Sequence, residues 1–271
     1  MQHPLAQLIA LTCHGGAFLS GKAIPEFWPG NSTCIFCECV RFRALGRAVR
    51  GESNLRSAGE TPDQWFAWLK QRGIAALKLG RRKLKGPYPE HVQAAFAGGG
   101  SEWVIHAPIK GGKSEPWSAH WELGDREAAD RRIWRVTYGK LAPRPFSTES
   151  DPRAAFDRTW SEFERALERI NAFALEHVGG GFVNCFDSAL QTLSSGKKAK
   201  THLTGLAPEG WLDRRALLLL NACQSAWVFG GMGSWNDMGF GGDVQDEYLA
   251  VTSALWDALN DAIETATRCI A

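Results

Sequence analysis

The sequence has no long apolar run and few cysteines. None of its 271 residues belong to an uninterrupted apolar stretch of about 18, so we predict no membrane-spanning helix. Seven cysteines, an odd and sparse set for this length, argue against a disulfide framework and favour a reducing compartment. The opening segment MQHPLAQLIALTC has no Lys or Arg before its apolar run, unlike a signal peptide. We therefore predict a cytoplasmic protein without membrane contact.

The familiar sequence signatures of catalysis and cofactor binding are also missing. There is no G-x-S-x-G motif of serine hydrolases, and the glycine-rich stretch 229–243 lacks the Gly-Lys-Ser/Thr that would complete a phosphate-binding P-loop. A second CxxC or an HxxxH, which would complete a zinc site, is not found. We predict no cofactor, and whether the protein is an enzyme stays open at this level.

Charge is distributed unevenly along the chain, although the net charge is only +2. Residues 1–140 carry 20 Lys and Arg against 12 Asp and Glu, a net of +8, whereas residues 141–271 carry 11 against 17, a net of −6. This asymmetry indicates two structural regions. It is compatible with self-association of complementary halves, or with an anionic partner for the first half.

The first part of the chain predicts a mixed α/β region. Helical spacing of Trp65, Trp68 and Leu69 after a capping Thr61 predicts one main helix from residue 61. A short helix is predicted near residues 88–96, and residues 44–60 are predicted to form a loop. Apolar content and period-two alternation predict strands over residues 7–13, 33–42, 102–109, 118–124 and 131–139.

The second part of the chain predicts helices. A Pro- and Ser-rich segment at 140–152 separates the two parts, and the triple glycine at 179–181 ends a long amphipathic helix that Asp151 would cap. Apolar stripes predict further helices over 182–193 and 214–229 and one from Asp243. We predict an α+β fold: a mostly antiparallel sheet region with one main helix, residues 1–145, packed against a bundle of about four helices, residues 146–271. Whether these are two domains or one compact unit is left open.

The stretch FGGMGSWNDMGFGGD, residues 229–243, is unusual because helix connections in bundles normally take 2–8 residues. In one interpretation its polar and aromatic side chains touch a small polar ligand between the sheet and the bundle. In the other, Trp235 plugs the end of the bundle while Asn236 and Asp237 cap backbone groups. The candidate ligand-binding residues are Ser234, Trp235, Asn236 and Asp237.

The functional prediction follows from this loop. We predict non-catalytic recognition of a small polar ligand or a protein partner through residues 229–243. The alternative is a hydrolase or transferase that uses Asp237 together with His106 or His120 as acid and base, because a carboxylate such as Glu122 beside His120 raises the pKa of the imidazole. That alternative requires Asp237 and a histidine to lie within hydrogen-bonding reach, directly or through one water.

The segment CIFCEC contains Cys34, Cys37 and Cys39 and is the only cysteine cluster. If this segment is an extended strand, period two sends Cys34 and Cys37 to opposite faces, so they cannot share a metal ion. We therefore predict no metal site and treat these three cysteines as weak candidates.

The run KLGRRKLKGPY contains the basic residues of 78–85 followed by Tyr88. Such a run can neutralise phosphates, and the tyrosine can stack on a base. We favour the alternative, a solvated helix end whose cations suit the helix dipole. Because the overall pI is only about 8.2, we predict no dedicated nucleic-acid binding. Most of the twelve tryptophans are assigned to the core.

Overall fold

The computed structural model describes residues 1–45, 55–82, 89–93, 102–146, 152–230 and 232–271. In the sheet region the elements are α1 (His3–Leu19), β1 (Cys37–Leu45), β2 (Leu55–Gly59), α2 (Pro62–Gln71), β3 (Lys78–Arg82), α3 (Glu90–Gln93), β4 (Glu102–Ile109), β5 (Lys113–Leu123), β6 (Trp134–Lys140) and β7 (Arg144–Pro145). In the helical region they are α4 (Pro152–His177), α5 (Gly180–Ser195), α6 (Arg214–Ser225), a 3-10 turn (Trp235–Asp237) and α7 (Gly242–Ala266).

The strands form one sheet in the order β2-β1-β6-β5-β4-β3, with β7 added beside β5. All pairings are antiparallel except that of β1 with β6, which is parallel. The mostly antiparallel sheet is therefore confirmed. Along β5, Trp117 is buried whereas His120 and Glu122 are exposed. The sheet thus has an apolar inner face and a polar outer face, as expected for an antiparallel sheet covered on one side.

Helix α2 is the main helix that the sequence predicts. The Thr61 side chain accepts a hydrogen bond from the backbone N–H of Gln64, and the Gln64 side chain accepts one from the N–H of Glu60. The helix ends at Gln71, two residues before Gly73, whose φ of +74° suits the chain reversal that follows.

Helix α1 corrects the prediction of a strand over residues 7–13. The residues from Leu5 to Ala17 are all buried, so no polar face reveals whether the period is that of a helix or of a strand. Pro4 in the first turn suits a helix start. Position 15, within the helix, requires a glycine because a Cβ there would come within 2.5 Å of the Leu77 side chain.

The position of α1 explains why it is buried all round. It packs on α2, β3 and β4. On another side, His14 contacts the Gly205 carbonyl at 3.1 Å and Gly16 lies against the Trp211 ring, both in the segment between α5 and α6. The sheet region therefore contains a second, longer helix besides α2, and this helix lies within the common core.

Two further element predictions are corrected. The strand predicted over 33–42 begins only at Cys37, because residues 34–36 form a turn. The loop predicted over 44–60 contains the strand Leu55–Gly59, and residues 46–54 lie outside the described part.

Helices α4 to α7 pack together, which confirms the predicted helical region. Helix α4 contacts both α5 and α7, and α6 contacts both α5 and α7. The buried apolar residues of this region and of the sheet's inner face form one hydrophobic cluster. Within the described residues, no helix is both long and apolar enough to cross a membrane.

Candidate functional site between the sheet and the helices

The edge strand β3 and the short helix α3 meet helix α7 and the glycine-rich loop. We call this contact the seam and define it by Arg81, Glu90, His91, Asn236 and Ser253. Covering an edge strand with a helix protects its unpaired backbone groups from association with other chains. The seam also brings together polar side chains from both regions of the protein.

Arg81 links the two regions electrostatically. Its side chain is only 6% exposed, and its guanidinium lies 2.9 Å from the Asp261 carboxylate, 3.6 Å from that of Glu90 and 4.0 Å from that of Asp257. The next residue, Arg82, points to the other face of the strand and pairs with Glu102.

This arrangement corrects the interpretation of residues 78–82 as a solvated helix end. They form a strand, and the alternation of a strand divides the basic run between two faces. Opposite charges of the two regions meet within one chain at Arg81. Residues 83–88, including Tyr88, lie outside the described residues.

His91 and Asn236 form the centre of the seam. The Asn236 side-chain amide donates a hydrogen bond of 2.5 Å to the His91 backbone carbonyl, and His91 Nδ1 lies 3.5 Å from the Ser253 hydroxyl. His91 is only 4% exposed. Burial lowers the pKa of its imidazole, and the negative charge of Asp257 partly opposes this effect. The ring is therefore held in its neutral form over a wider pH range than a solvated histidine.

Two atoms at this centre are buried without a hydrogen-bond partner among the described residues: His91 Nε2 and Asn236 Oδ1. A buried polar atom without a partner costs about 1–3 kcal/mol, and such atoms are rare in folded proteins. The two residues contact each other, and each comes from a different region of the protein. We therefore treat the seam as the candidate binding site.

The rest of the glycine-rich loop is anchored locally. Trp235 is fully buried, and its indole N–H donates to the Thr252 hydroxyl at 2.8 Å. The Asp237 carboxylate accepts a hydrogen bond from the N–H of Gly233, which has a φ of +81°. The Ser234 hydroxyl donates to the Gly230 carbonyl at 3.0 Å. Among the described residues of this loop, only Asn236 has a hydrogen bond across the seam. The ligand contacts predicted for these four residues stay a prediction.

The candidate acid and base groups lie in separate environments. His106 Nδ1 is 2.7 Å from the Ser114 hydroxyl, and its ring stacks on Phe146. His120 is 73% exposed in its side chain and lies 3.3 Å from Glu122. Across the described ranges, no hydrogen bond or ion pair joins Asp237 to either histidine. The hydrolase or transferase alternative stays a prediction without a contact in its favour.

The expectation that Cys34 and Cys37 face opposite sides is wrong. A turn closed by the Cys37 N–H and the Cys34 carbonyl, 2.9 Å apart, buries both thiols. The Gln7 side-chain amide lies 3.7 Å and 3.5 Å from the two sulfurs. Burial raises the pKa of Cys34 to about 12 and that of Cys37 to about 11. Cys39 lies in β1, and in the described part no three potential ligands converge on a metal position.

Sequence reasoning missed His91, Ser253 and the pairing of Arg81. His91 and Ser253 are separated by 162 residues, and no local pattern signals a contact over such a distance. The only sequence feature that pointed to this site was the length of the loop that carries Asn236.

Comparisons with known proteins add no information on function. No family model, no curated protein and no solved structure matches the chain. The geometry of the seam is therefore the basis for a functional proposal.

Proposed function

We propose that the protein recognises a small polar ligand at the seam, without catalysing a reaction. The observation that carries this proposal is the pair of buried, unpartnered atoms, His91 Nε2 and Asn236 Oδ1. A ligand that supplies their missing hydrogen bonds removes the cost of leaving them unpaired. Positions at which a protein keeps such a cost are often functional.

The chemistry of the two atoms indicates the kind of ligand. Asn236 Oδ1 is an acceptor and therefore selects a donor. If the Ser253 hydroxyl donates to His91 Nδ1, Nε2 carries the imidazole proton and selects an acceptor. The charge of Arg81 is already engaged with carboxylates across the seam. A neutral ligand that offers both a donor and an acceptor, such as a polyol or an amide, fits these requirements.

Binding at the seam has a measurable thermodynamic consequence. A ligand that binds only the folded state stabilises it by about 2.7 kcal/mol at 100 times its Kd. Because the seam joins the sheet region to the helices, this stabilisation reports on unfolding of the whole chain.

The test is thermal unfolding of the wild type and of His91→Leu with a panel of neutral polyols, amides and nucleosides. We expect at least one compound to raise the Tm of the wild type and to have no effect on His91→Leu. The backbone carbonyl that Asn236 contacts remains in this variant. Without ligand, His91→Leu should unfold with a free energy within about 1 kcal/mol of the wild type, because it removes a buried unpaired atom.

His120→Leu is the matched control, since His120 is exposed on the outer face of the sheet. It should respond to the same compound as the wild type does. The proposal is contradicted if no compound in the panel stabilises the wild type, or if His91→Leu retains the full response.

A further inference from the structure

A second group of polar residues lies on the outer face of the sheet, away from the seam. Lys78 on β3 is directly opposite His106 on β4, so the two side chains are neighbours on one face. His106 is hydrogen-bonded to Ser114 on β5, and Ser114 is directly opposite Arg144 on β7. A row of three basic side chains therefore crosses this end of the sheet.

The imidazole in the middle of the row is held in place. A Cβ on Gly80 would come within 2.7 Å of two ring atoms of His106, so only glycine allows the ring to lie this close to β3. On another side, Phe146 stacks on the ring with 4.5 Å between centroids. Together with the bond to Ser114, these contacts fix the orientation of His106 before any ligand arrives.

Within the described residues, neither end of the row has a carboxylate partner. Neither Lys78 nor Arg144 forms an ion pair with any residue in the described part of the chain, although Lys78 is half-buried. Arg268, which follows α7 and pairs with Glu264, adds a third permanent charge to those of Lys78 and Arg144, and its charge acts on both His106 and Lys78. Burial, and then the charges of Arg268 and Arg144, lower the pKa of His106 to about 4. Burial and Arg268 also lower the pKa of Lys78.

We propose that Lys78, His106 and Arg144, together with Arg268, form a binding site for an oxyanion such as a phosphate, sulfate or carboxylate group. Hydrogen bonds from charged donors to an anion are about twice as strong as those between neutral groups. An anion at this point relieves the repulsion among the cations and offsets the cost of holding Lys78 half-buried without a counter-charge. This site is separate from the ligand site proposed at the seam.

The test follows the His106 imidazole by NMR as pH is lowered, in sodium sulfate, in sodium malonate and in sodium chloride at equal ionic strength. A bound oxyanion favours the charged imidazole, so the pKa of His106 should rise by about one unit or more in sulfate or malonate relative to chloride. A response to either anion supports the site, and the anion that responds identifies the ligand class. His120 in the same spectra serves as a reference for non-specific screening.

Two variants make the test specific. Lys78→Gln and the exposed Arg144→Gln should each remove at least half of the anion-induced change, whereas Lys198→Gln, on the exposed surface of the helical region, should not alter it. Arg144→Gln keeps the test valid if Lys78→Gln does not fold. The proposal is overturned if sulfate and malonate shift His106 no more than chloride does, or if Arg144→Gln responds as the wild type does.

Discussion

The two regions of the molecule each contain a buried aromatic cluster, and the clusters are held in different ways. In the sheet region, Phe42 stacks on Trp65 at 4.3 Å and lies 6.2 Å from Trp117, and the indole N–H groups of both tryptophans have no partner among the described residues. In the helical region, Trp235 donates to Thr252, and Tyr248 donates to the Trp235 backbone carbonyl at 2.7 Å.

The difference follows from what carries each ring. In the sheet region, Phe42 and Trp117 lie on strands whose backbone groups are paired in the ladder, so close packing alone positions their side chains. Trp235 is carried by a loop, whose buried backbone groups must find partners elsewhere. The comparison teaches that Trp235, a loop residue within the core, is held by polar contacts in addition to packing.

The largest effect is expected from removing either cluster's central ring. Trp117→Ala and Trp235→Ala should each lower the free energy of unfolding by about 3–5 kcal/mol, because each leaves a large cavity. Urea denaturation followed by circular dichroism measures both. A loss below about 1 kcal/mol for Trp235→Ala would show that the loop is not part of the core.

The next effect tests whether the two regions depend on each other. Arg81→Met should lower the free energy of unfolding by about 2–3 kcal/mol, because Glu90 loses its buried counter-charge while Asp257 and Asp261 remain solvated. Arg82→Met is the matched control, since Arg82 is 55% exposed in its side chain and should cost less than about 1 kcal/mol. Equal losses in the two variants would contradict a role for Arg81 in joining the regions.

A smaller effect concerns acid sensitivity of the sheet region. The folded pKa of His106, about 4, lies below the unfolded value of 6.5, so the unfolded chain binds the proton first as pH falls. The contribution of His106 to the free energy of unfolding is therefore fully present above pH 6.5 and is lost as pH falls from 6.5 to 4. After discounting for partial exposure, this loss is on the order of 1–2 kcal/mol.

The measurement is urea denaturation at several pH values in chloride buffer, for the wild type and for His106→Asn. The variant should lose less stability than the wild type across this range. Parallel pH profiles would show that His106 does not contribute to the acid sensitivity.

The smallest effect sharpens the comparison between the clusters. Trp235→Phe should cost about 1 kcal/mol more than Trp117→Phe, because only the former breaks a hydrogen bond, whereas the latter removes an unpaired N–H. Urea denaturation of the two variants under one condition gives this difference. If Trp117→Phe proves the more costly, packing rather than polar anchoring decides the stability of both clusters.

Several elements could be predicted from the sequence because their signals are local. The cap at Thr61 identified α2, and alternation along Trp117 to Glu122 identified a strand with one buried face. The apolar stripe of α4 and the glycines after it identified the first helix of the helical region. In each case the chain carries both the pattern and the boundary within about one element's length.

Other features were wrong or missed because their cause lies elsewhere in the chain. Helix α1 is buried all round because α2, the sheet and the segment near Gly205 and Trp211 surround it, and this environment cannot be read from residues 3–19. The turn that brings Cys34 and Cys37 together depends on Gln7 and Tyr138 from other elements. The apolar run of residues 7–13 by itself does not distinguish a helix from a strand.

The sequence by itself determined which segments are helices and strands where one face is polar, the division into a basic and an acidic part, and the unusual loop around Trp235. Only the tertiary structure decided which side chains of that loop pack in the core, and that Asn236 contacts His91. It also decided that Lys78, His106 and Arg144 form one row. Periodicity records only whether a side chain is turned inward, whereas the partner that it meets there depends on chain segments far away in the sequence.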